Sequence, residues 1–154
     1  MKIRRAREDD AAELVRLRAV MLRTFAGADW TDDWCEPTRK SLARRLPEPS
    51  PTLVAFVVER PDGTGLAACA VGVVEERLGS PGNPEGLAGY VFSVSTDTDM
   101  RRRGYSRACM TALLDWFRER GVRTVDLRAS VEGESLYESL GFRRTPDPAM
   151  RLRL

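Results

Sequence analysis

The stretch "DMRRRGYSRACM", residues 99–110, joins an apolar β-rich segment to a helix. Downstream of it Met110, Leu113, Leu114 and Phe117 recur at i, i+3, i+4 and i+7, the spacing of a helical stripe running to about Arg120. Upstream, "LAGYVFSVS" at 87–95 reads as a strand. A helix N-terminus presents free N–H groups and partial positive charge, so acids suit it and bases do not. Arg101, Arg102 and Arg103 nevertheless stand there, followed by Gly104. Either these arginines are merely solvated, or the turn meets an anion. Glycine lets a backbone approach a ligand closely, and successive N–H groups converge on phosphate oxygens. The GK[ST] ending of a Walker A loop is missing, and Gly104 stands alone where GxGxxG needs three glycines.

Residues 2–6 read as a first strand. Asp9 or Asp10 is placed to cap a helix running to about Phe25, with Ala11, Leu14, Leu17 and Met21 on one face. The segment "GADWTDDWCEP" breaks that pattern, and Pro37 suits the first turn of a second helix ending near Leu46. "TLVAFVVE" and "LAACAVGVVEE" flank "RPDGTG", a hairpin signal with Asp-Gly in the turn. A Gly/Pro-rich loop, "LGSPGNPEG", leads into the strand at 87–95. After the arginine turn and its helix come a strand at "RTVDLRA" and a short helix at "EGESLYESL", stopped by Gly141. Two last strands are expected at "FRRT" and "AMRLRL". The order β-α-α-β-β-β-α-β-α-β-β describes one α/β domain over residues 1–154, with a mixed, mostly antiparallel sheet flanked by helices.

The 154 residues suffice for a real hydrophobic core, and 42% hydrophobic with 31% charged residues is ordinary for a soluble globular protein. No apolar run approaches the roughly 20 residues that cross a bilayer, and "MKIRRAREDD" lacks the apolar centre of a signal peptide. A cytoplasmic chain with no membrane partner is expected. A net charge of +2 argues against a general polyanion binder. Cys35, Cys69 and Cys109 are odd in number and widely spaced, which fits a reducing compartment and gives no zinc pattern. Histidine is absent, which removes Ser-His and Cys-His nucleophiles, histidine metal sites and histidine bases together. No metal is expected. Acid–base chemistry is left to Asp, Glu, Tyr, Lys, Cys or water.

"VSTDTDMRRRGYSRACMTALLDWFRERGV" followed by "VDLRASVEGESLYESLGFRR" resembles the GCN5-related N-acetyltransferase family. That family carries Arg/Gln-x-x-Gly-x-Gly/Ala after its fourth strand, where backbone amides hold the pyrophosphate of acetyl-CoA. Here the motif begins at Arg101, has its glycine at Gly104 and ends at Ser106 instead of Gly or Ala, with Arg102, Arg103 and Tyr105 between. The resemblance is specific over about residues 88–145; before that it rests on element order and length. It implies that backbone groups of Val94 and Ser95 hold the pantetheine arm and acetyl group, and that an N–H there stabilises the oxyanion. It implies Tyr137, in "LYESLGF", as the general acid for the leaving thiolate, although a purely packed aromatic on that helix would look the same. Ser130 stands where many members place an asparagine on the pantetheine arm. No base is assigned: Tyr90 could line a water path from the amine, while Glu75 and Glu76 read best as a solvated strand end.

The region between the first two helices commonly walls the acceptor pocket in this family. Here it holds Asp29, Asp32, Asp33 and Glu36 with Trp30 and Trp34 interleaved and no basic residue. Two readings stand side by side. Trp30, Asp32, Asp33 and Trp34 hold a cationic amine by ion pairing and cation–π contact, or the acids cap helices and the indoles cover the core. The resulting expectation is an acetyl-CoA-dependent N-acetyltransferase acting on a small amine, as monomer or homodimer. The alternative is a non-catalytic acyl-CoA-binding sensor or regulatory module. A nucleic-acid binder using Arg101–Arg103 and the basic tail fits poorly, for want of a basic stripe interleaved with aromatics.

Overall fold

The computed structural model describes residues 1–26 and 29–154; Gly27 and Ala28, where the sequence breaks the first helix, lie outside the described residues. Five strands lie in chain order in one sheet: β1 (Ile3–Arg5), β2 (Leu53–Glu59), β3 (Leu66–Glu76), β4 (Leu87–Thr96) and β5 (Thr124–Leu127). The first four pair antiparallel, and β5 joins β4 in parallel. A parallel neighbour needs a crossover, which helix α3 (Tyr105–Glu119) supplies. Helices α1 (Ala11–Ala26) and α2 (Cys35–Arg45) precede β2, and α4 (Glu134–Ser139) follows β5. The expected mixed, mostly antiparallel sheet flanked by helices is the observed architecture.

β2 and most of β3 are buried on both faces, which explains their near-continuous apolar runs. On one face Leu14 and Leu17 of α1 and Leu42 of α2 pack on Leu53, Val57, Cys69 and Val71. On the other, Cys109, Met110, Leu113 and Phe117 of α3 pack on Val54, Val58, Ala70 and Val91. Each fully buried side chain of this kind contributes about 1.5–3 kcal/mol. The α3 face can come this close because β3 and β4 present glycines beneath it. A Cβ on Gly72 or Gly89 would lie 2.8 or 2.9 Å from the Phe117 ring.

Local chemistry sets the element ends. The chain enters α1 through a 3₁₀ turn at Glu8–Asp10, and the Asp10 carboxylate accepts the Arg7 N–H at 2.7 Å and two Arg4 N–H groups at 2.7 and 3.0 Å. In the β2–β3 hairpin Asp62 accepts from the Thr64 N–H and hydroxyl, and Gly63 takes φ +75°. Pro37 stands in the first turn of α2, as the sequence suggests.

The two last strands do not form. Phe142 turns back to meet Tyr137 edge-on at 6.0 Å between ring centroids, and Arg144 pairs with Glu134 of α4. These contacts hold the segment beside α4 and not in a ladder on β5. Pro146 and Pro148 then remove two N–H donors, and Met150, Leu152 and Leu154 stay exposed despite their strand-like alternation. Among the described residues no helix is long and apolar enough to cross a membrane.

Candidate active site

The arginine turn is where the sequence places it, between the end of β4 and α3. Arg101, Arg102, Arg103 and Gly104 are all exposed, and no carboxylate among the described residues forms a salt bridge with these three arginines. Gly104 sits in the left-handed region at φ +78° and a Cβ built there meets nothing within 4 Å. Arg102 is also left-handed, at φ +65°. The first turn of α3 has neither an acidic residue nor a side-chain cap, so no side chain answers its leading N–H groups at the N-cap. An open glycine, free amides and unpaired guanidinium groups together fit a pyrophosphate. Tyr105 is buried in the core and anchors the helix start. The Ser106 hydroxyl shares a 2.6 Å hydrogen bond with the Thr96 hydroxyl of β4, so it faces the sheet and its extra bulk stays out of the turn.

A feature that sequence reasoning missed holds this turn in place. Asp97, buried just after β4, accepts from Arg16 of α1 at 2.7 and 3.0 Å and from Arg60 at 2.9 Å. Arg60 also reaches Asp99 at 2.5 and 3.2 Å, in the short 3₁₀ turn that leads into Arg101. Arg60 thereby holds the Asp99 carboxyl below its ordinary range. The Asp97 N–H closes onto the Ala67 carbonyl at 2.8 Å. Arg16 and Asp97 are 81 residues apart, and no local pattern marks the pair.

β4 carries the second part. Its pairing with β3 shifts register between Cys69 and Val71, opposite Ser93 and Val94, and Ser93 has the positive φ of +51°. This is a β-bulge with a backbone conformation that a serine rarely adopts. On its other edge β4 meets β5 only from Ala88 to Val91, so Phe92–Thr96 run on without a strand partner. That open edge, Val94 and Ser95 included, can hydrogen-bond an amide-bearing arm as an added strand would. The pantetheine of coenzyme A carries two such amides.

Tyr137 of α4 is half-buried and packs with Val94 against the same core as α3. It lines a cavity of ≈ 300 Å³ between β5 and α4 with Val125, Leu127 and Phe142. Burial pushes its phenol pKa up, which keeps it a proton donor at neutral pH. Ser130 turns its hydroxyl to the Gly133 N–H at 3.1 Å and so shapes the entry to α4. Glu75 and Glu76 pair opposite Ala88 and Leu87, whereas the bulge lies near Cys69. Six residues of strand put them roughly 20 Å away, and Glu75 is bound to Arg77. Tyr90 stacks on Phe92 at 6.4 Å.

Beneath α1 and α2 a cavity of ≈ 320 Å³ opens onto the bulge through Phe92 and Ser93. None of Trp30, Asp32, Asp33 and Trp34 lines it. Trp30 donates to Asp32 at 2.9 Å, stands edge-on to Trp34 at 5.7 Å and lies under Arg23 at 4.3 Å. Thr31 donates to Asp33 at 2.5 Å, and Glu36 pairs with Arg39. Both aspartates are exposed, while Trp34 packs against the α1–α2 core. The segment's acids are thus bonded to Trp30, Thr31 and Arg39, and the cavity is lined by residues of α1, α2 and the strands with no acidic one among them.

A family model described as "Acetyltransferase (GNAT) family" matches residues 19–142. The [ribosomal protein bS18]-alanine N-acetyltransferase of Escherichia coli K12 is 42% identical over 55 residues, a stretch spanning 34% of this chain and 37% of that relative. A GCN5-related N-acetyltransferase from Ralstonia eutropha superposes with a TM-score of 0.83 at 27% identity, over 98% of this chain and 97% of that one. A predicted acetyltransferase from Clostridium acetobutylicum, solved with acetyl-CoA, gives 0.84 at 22% identity over 99% and 95%, a likeness of fold. With the family pattern running through four-fifths of its length and through the turn, bulge and helix just described, the chain belongs to the acetyltransferase (GNAT) family.

Proposed function

We propose that the chain transfers the acetyl group of acetyl-CoA to the primary amine of a small acceptor. The observation that carries this reading is the left-handed, open Gly104 turn with its three arginines, none of them salt-bridged among the described residues, set directly after the bulged, half-open end of β4. Acetyl-CoA supplies an activated acyl thioester. Arg101–Arg103 and the amides of Gly104, Tyr105 and Ser106 hold its pyrophosphate, and the free edge at Val94 and Ser95 aligns the pantetheine arm. An N–H of the bulge faces the developing oxyanion, worth about 3–4 kcal/mol in preorganised sites. The neutral amine attacks the carbonyl carbon, the C–S bond breaks, and the sulfur takes the Tyr137 phenolic proton. The amine's surplus proton leaves to water, and water returns a proton to the Tyr137 phenolate. The Ser130 carbonyl accepts the Gly133 and Glu134 N–H groups at the start of α4, while its hydroxyl, accepting the Gly133 N–H, keeps its own proton to donate to the arm.

The acceptor's finer identity is read from the cavity under α1 and α2. The expectation of a cationic acceptor rests on Trp30, Asp32, Asp33 and Trp34, and their placement outside that cavity weakens its basis. The Escherichia coli relative acts on a protein's alanine, and with a third of the chain aligned this adds one candidate amine without deciding among them. Release of free thiol from acetyl-CoA, followed against a panel of amines that includes an alanine-terminated peptide, tests the reading. Thiol release that depends on an amine supports it. Tight acetyl-CoA binding without turnover on any amine would favour the non-catalytic acyl-CoA-binding module.

A further inference from the structure

The cavity between α1, α2 and the β4 bulge contains two arginines, Arg18 and Arg45, and no carboxylate. Arg18 is half-buried, and no salt bridge reaches it among the described residues. Its guanidinium donates to the Ser93 hydroxyl and lies 6.0 Å from the centre of the Phe92 ring. A guanidinium stays charged at neutral pH and offers five donors in a planar fork. One is used here. Burial disfavours its charge, with no opposing carboxylate to compensate. Elsewhere among the described residues Arg4 is matched by Asp10 and Glu59 and Arg60 by Asp97 and Asp99, while the half-buried Arg120 donates to the Pro51 carbonyl and lies over the Trp116 ring. Arg18 and Arg45 share one cavity with no carboxylate lining it.

Resting on the acetyl-transfer reading, we infer that the acceptor is an amine carrying a carboxylate a few bonds from its nitrogen, and that Arg18 binds this carboxylate with Arg45 adding charge. Two placements fix the chemistry. The Arg18 guanidinium touches Ser93 itself, one residue from Val94, so a carboxylate seated on it leaves its molecule's amine close to the transfer point only if the spacer is short. The floor of the same cavity is apolar, with Leu14, Leu42 and Val71 facing the space beside Phe92. An α-amino acid or short analogue with an apolar side chain meets both conditions. A polyamine does not, because it would bring like charge to Arg18 without a carboxylate to receive it.

Matched pairs isolate the carboxylate: glycine against glycinamide and L-leucine against L-leucinamide, with 1,4-diaminobutane as the cationic probe. Acetylation is followed by thiol release, and binding by calorimetry with and without CoA, for the wild type, Arg18→Gln and Arg18→Lys. The amides hold more free base at neutral pH, so amine basicity works against the expected result. The carboxylate member of at least one pair should be favoured by about tenfold or more in kcat/KM and in affinity. Arg18→Gln should erase that preference with acetyl-CoA affinity unchanged, and Arg18→Lys should keep part of it. The proposal is overturned if amides or the diamine are preferred, if the preference survives in Arg18→Gln, or if no carboxylate probe binds while acetyl-CoA does. A diamine preference removed by Asp32→Asn with Asp33→Asn would return acceptor recognition to the acidic segment. Failure of acetyl-CoA itself to bind would instead remove the donor reading, and carboxylate binding without CoA would still report on Arg18.

Discussion

At Gly104 two demands coincide: a left-handed backbone, and open space beyond the missing Cβ. Gly104→Asp violates both and adds negative charge where phosphate is proposed. Acetyl-CoA affinity should fall well over tenfold, or more than about 1.4 kcal/mol, as calorimetry on the folded variant would show. Tyr137→Phe removes only a hydroxyl from a ring that packs against Phe142. Turnover should fall by about 10²–10⁴ with cofactor affinity held; a change within twofold would leave Tyr137 a packing residue. The pH profile bears on the same group. With no histidine in the chain, kcat/KM should climb with pH as the amine loses its proton. It should decline only in strong alkali, because the raised Tyr137 pKa keeps the acid form beyond the ordinary value of about 10. A plateau set near pH 6.5 would contradict this.

Between elements, the Arg60 links act on the cofactor turn from a distance. Arg60→Ala should raise the KM for acetyl-CoA severalfold while kcat changes little, and Arg60→Lys should recover part of the loss. Equal losses in both constants would make Arg60 a stability residue alone. Asp10 at the entry to α1 gives a sign to acid sensitivity. Burial raises its pKa, but the Arg4 and Arg7 hydrogen bonds lower it more, so the folded value lies below the unfolded one. Its contribution is therefore complete above about pH 4 and lost as pH falls further. Asp10→Asn should cost about 1–3 kcal/mol at neutral pH, and its denaturation curve should converge with the wild type's in acid. Gly89→Val would push a side chain into Phe117 and should lower Tm while leaving the turn chemistry intact.

These element-level features divide by how local their causes are. The α3 stripe, the Asp-Gly hairpin and the Gly141 stop are written within a few residues each, and the sequence alone locates them. The arginine turn was legible for the same reason. Arg18 and Ser93 lie 75 residues apart, and Arg60 and Asp99 39 apart, so nothing local announces either contact. "DWTDDWCE" reads differently in the sequence and in the fold: its chemistry suits a ligand, yet Asp32, Asp33 and Glu36 are bonded to Trp30, Thr31 and Arg39, and none of them lines the cavity under α1 and α2. "AMRLRL" alternates like a strand, but Phe142, Arg144 and two prolines settle the tail's course before that alternation can matter.

For the molecule as a whole, the net charge of +2 is small, but its distribution is not even. Arginines gather at the α3 turn and in the cavity under α1 and α2, while the acids of the Trp30–Glu36 segment stay outside both. Screening shortens the reach of exposed charge to about 3 Å at 1 M salt, so raising ionic strength should increase the KM for acetyl-CoA. Single-stranded oligonucleotides should compete weakly at physiological salt; tight, salt-dependent binding would revive a nucleic-acid role.

The bulge in β4 has a kinetic corollary. The donor is proposed along the open edge at Val94 and Ser95, and the acceptor cavity reaches the same strand through Phe92 and Ser93 from beneath α1 and α2. Neither approach crosses the other, so both substrates can be present together. No cysteine among the described residues is placed to carry the acetyl group between them: Cys35 of α2 lines neither cavity. Cys69 is wholly enclosed, its thiol pushed up to about 12, and Cys109 is likewise buried with a raised pKa. Transfer should therefore be direct, within a complex of all three molecules. Initial-rate plots at several fixed donor concentrations should intersect; parallel lines, or radiolabelled acetyl retained on the protein after gel filtration, would demand a carrier residue that this strand does not offer.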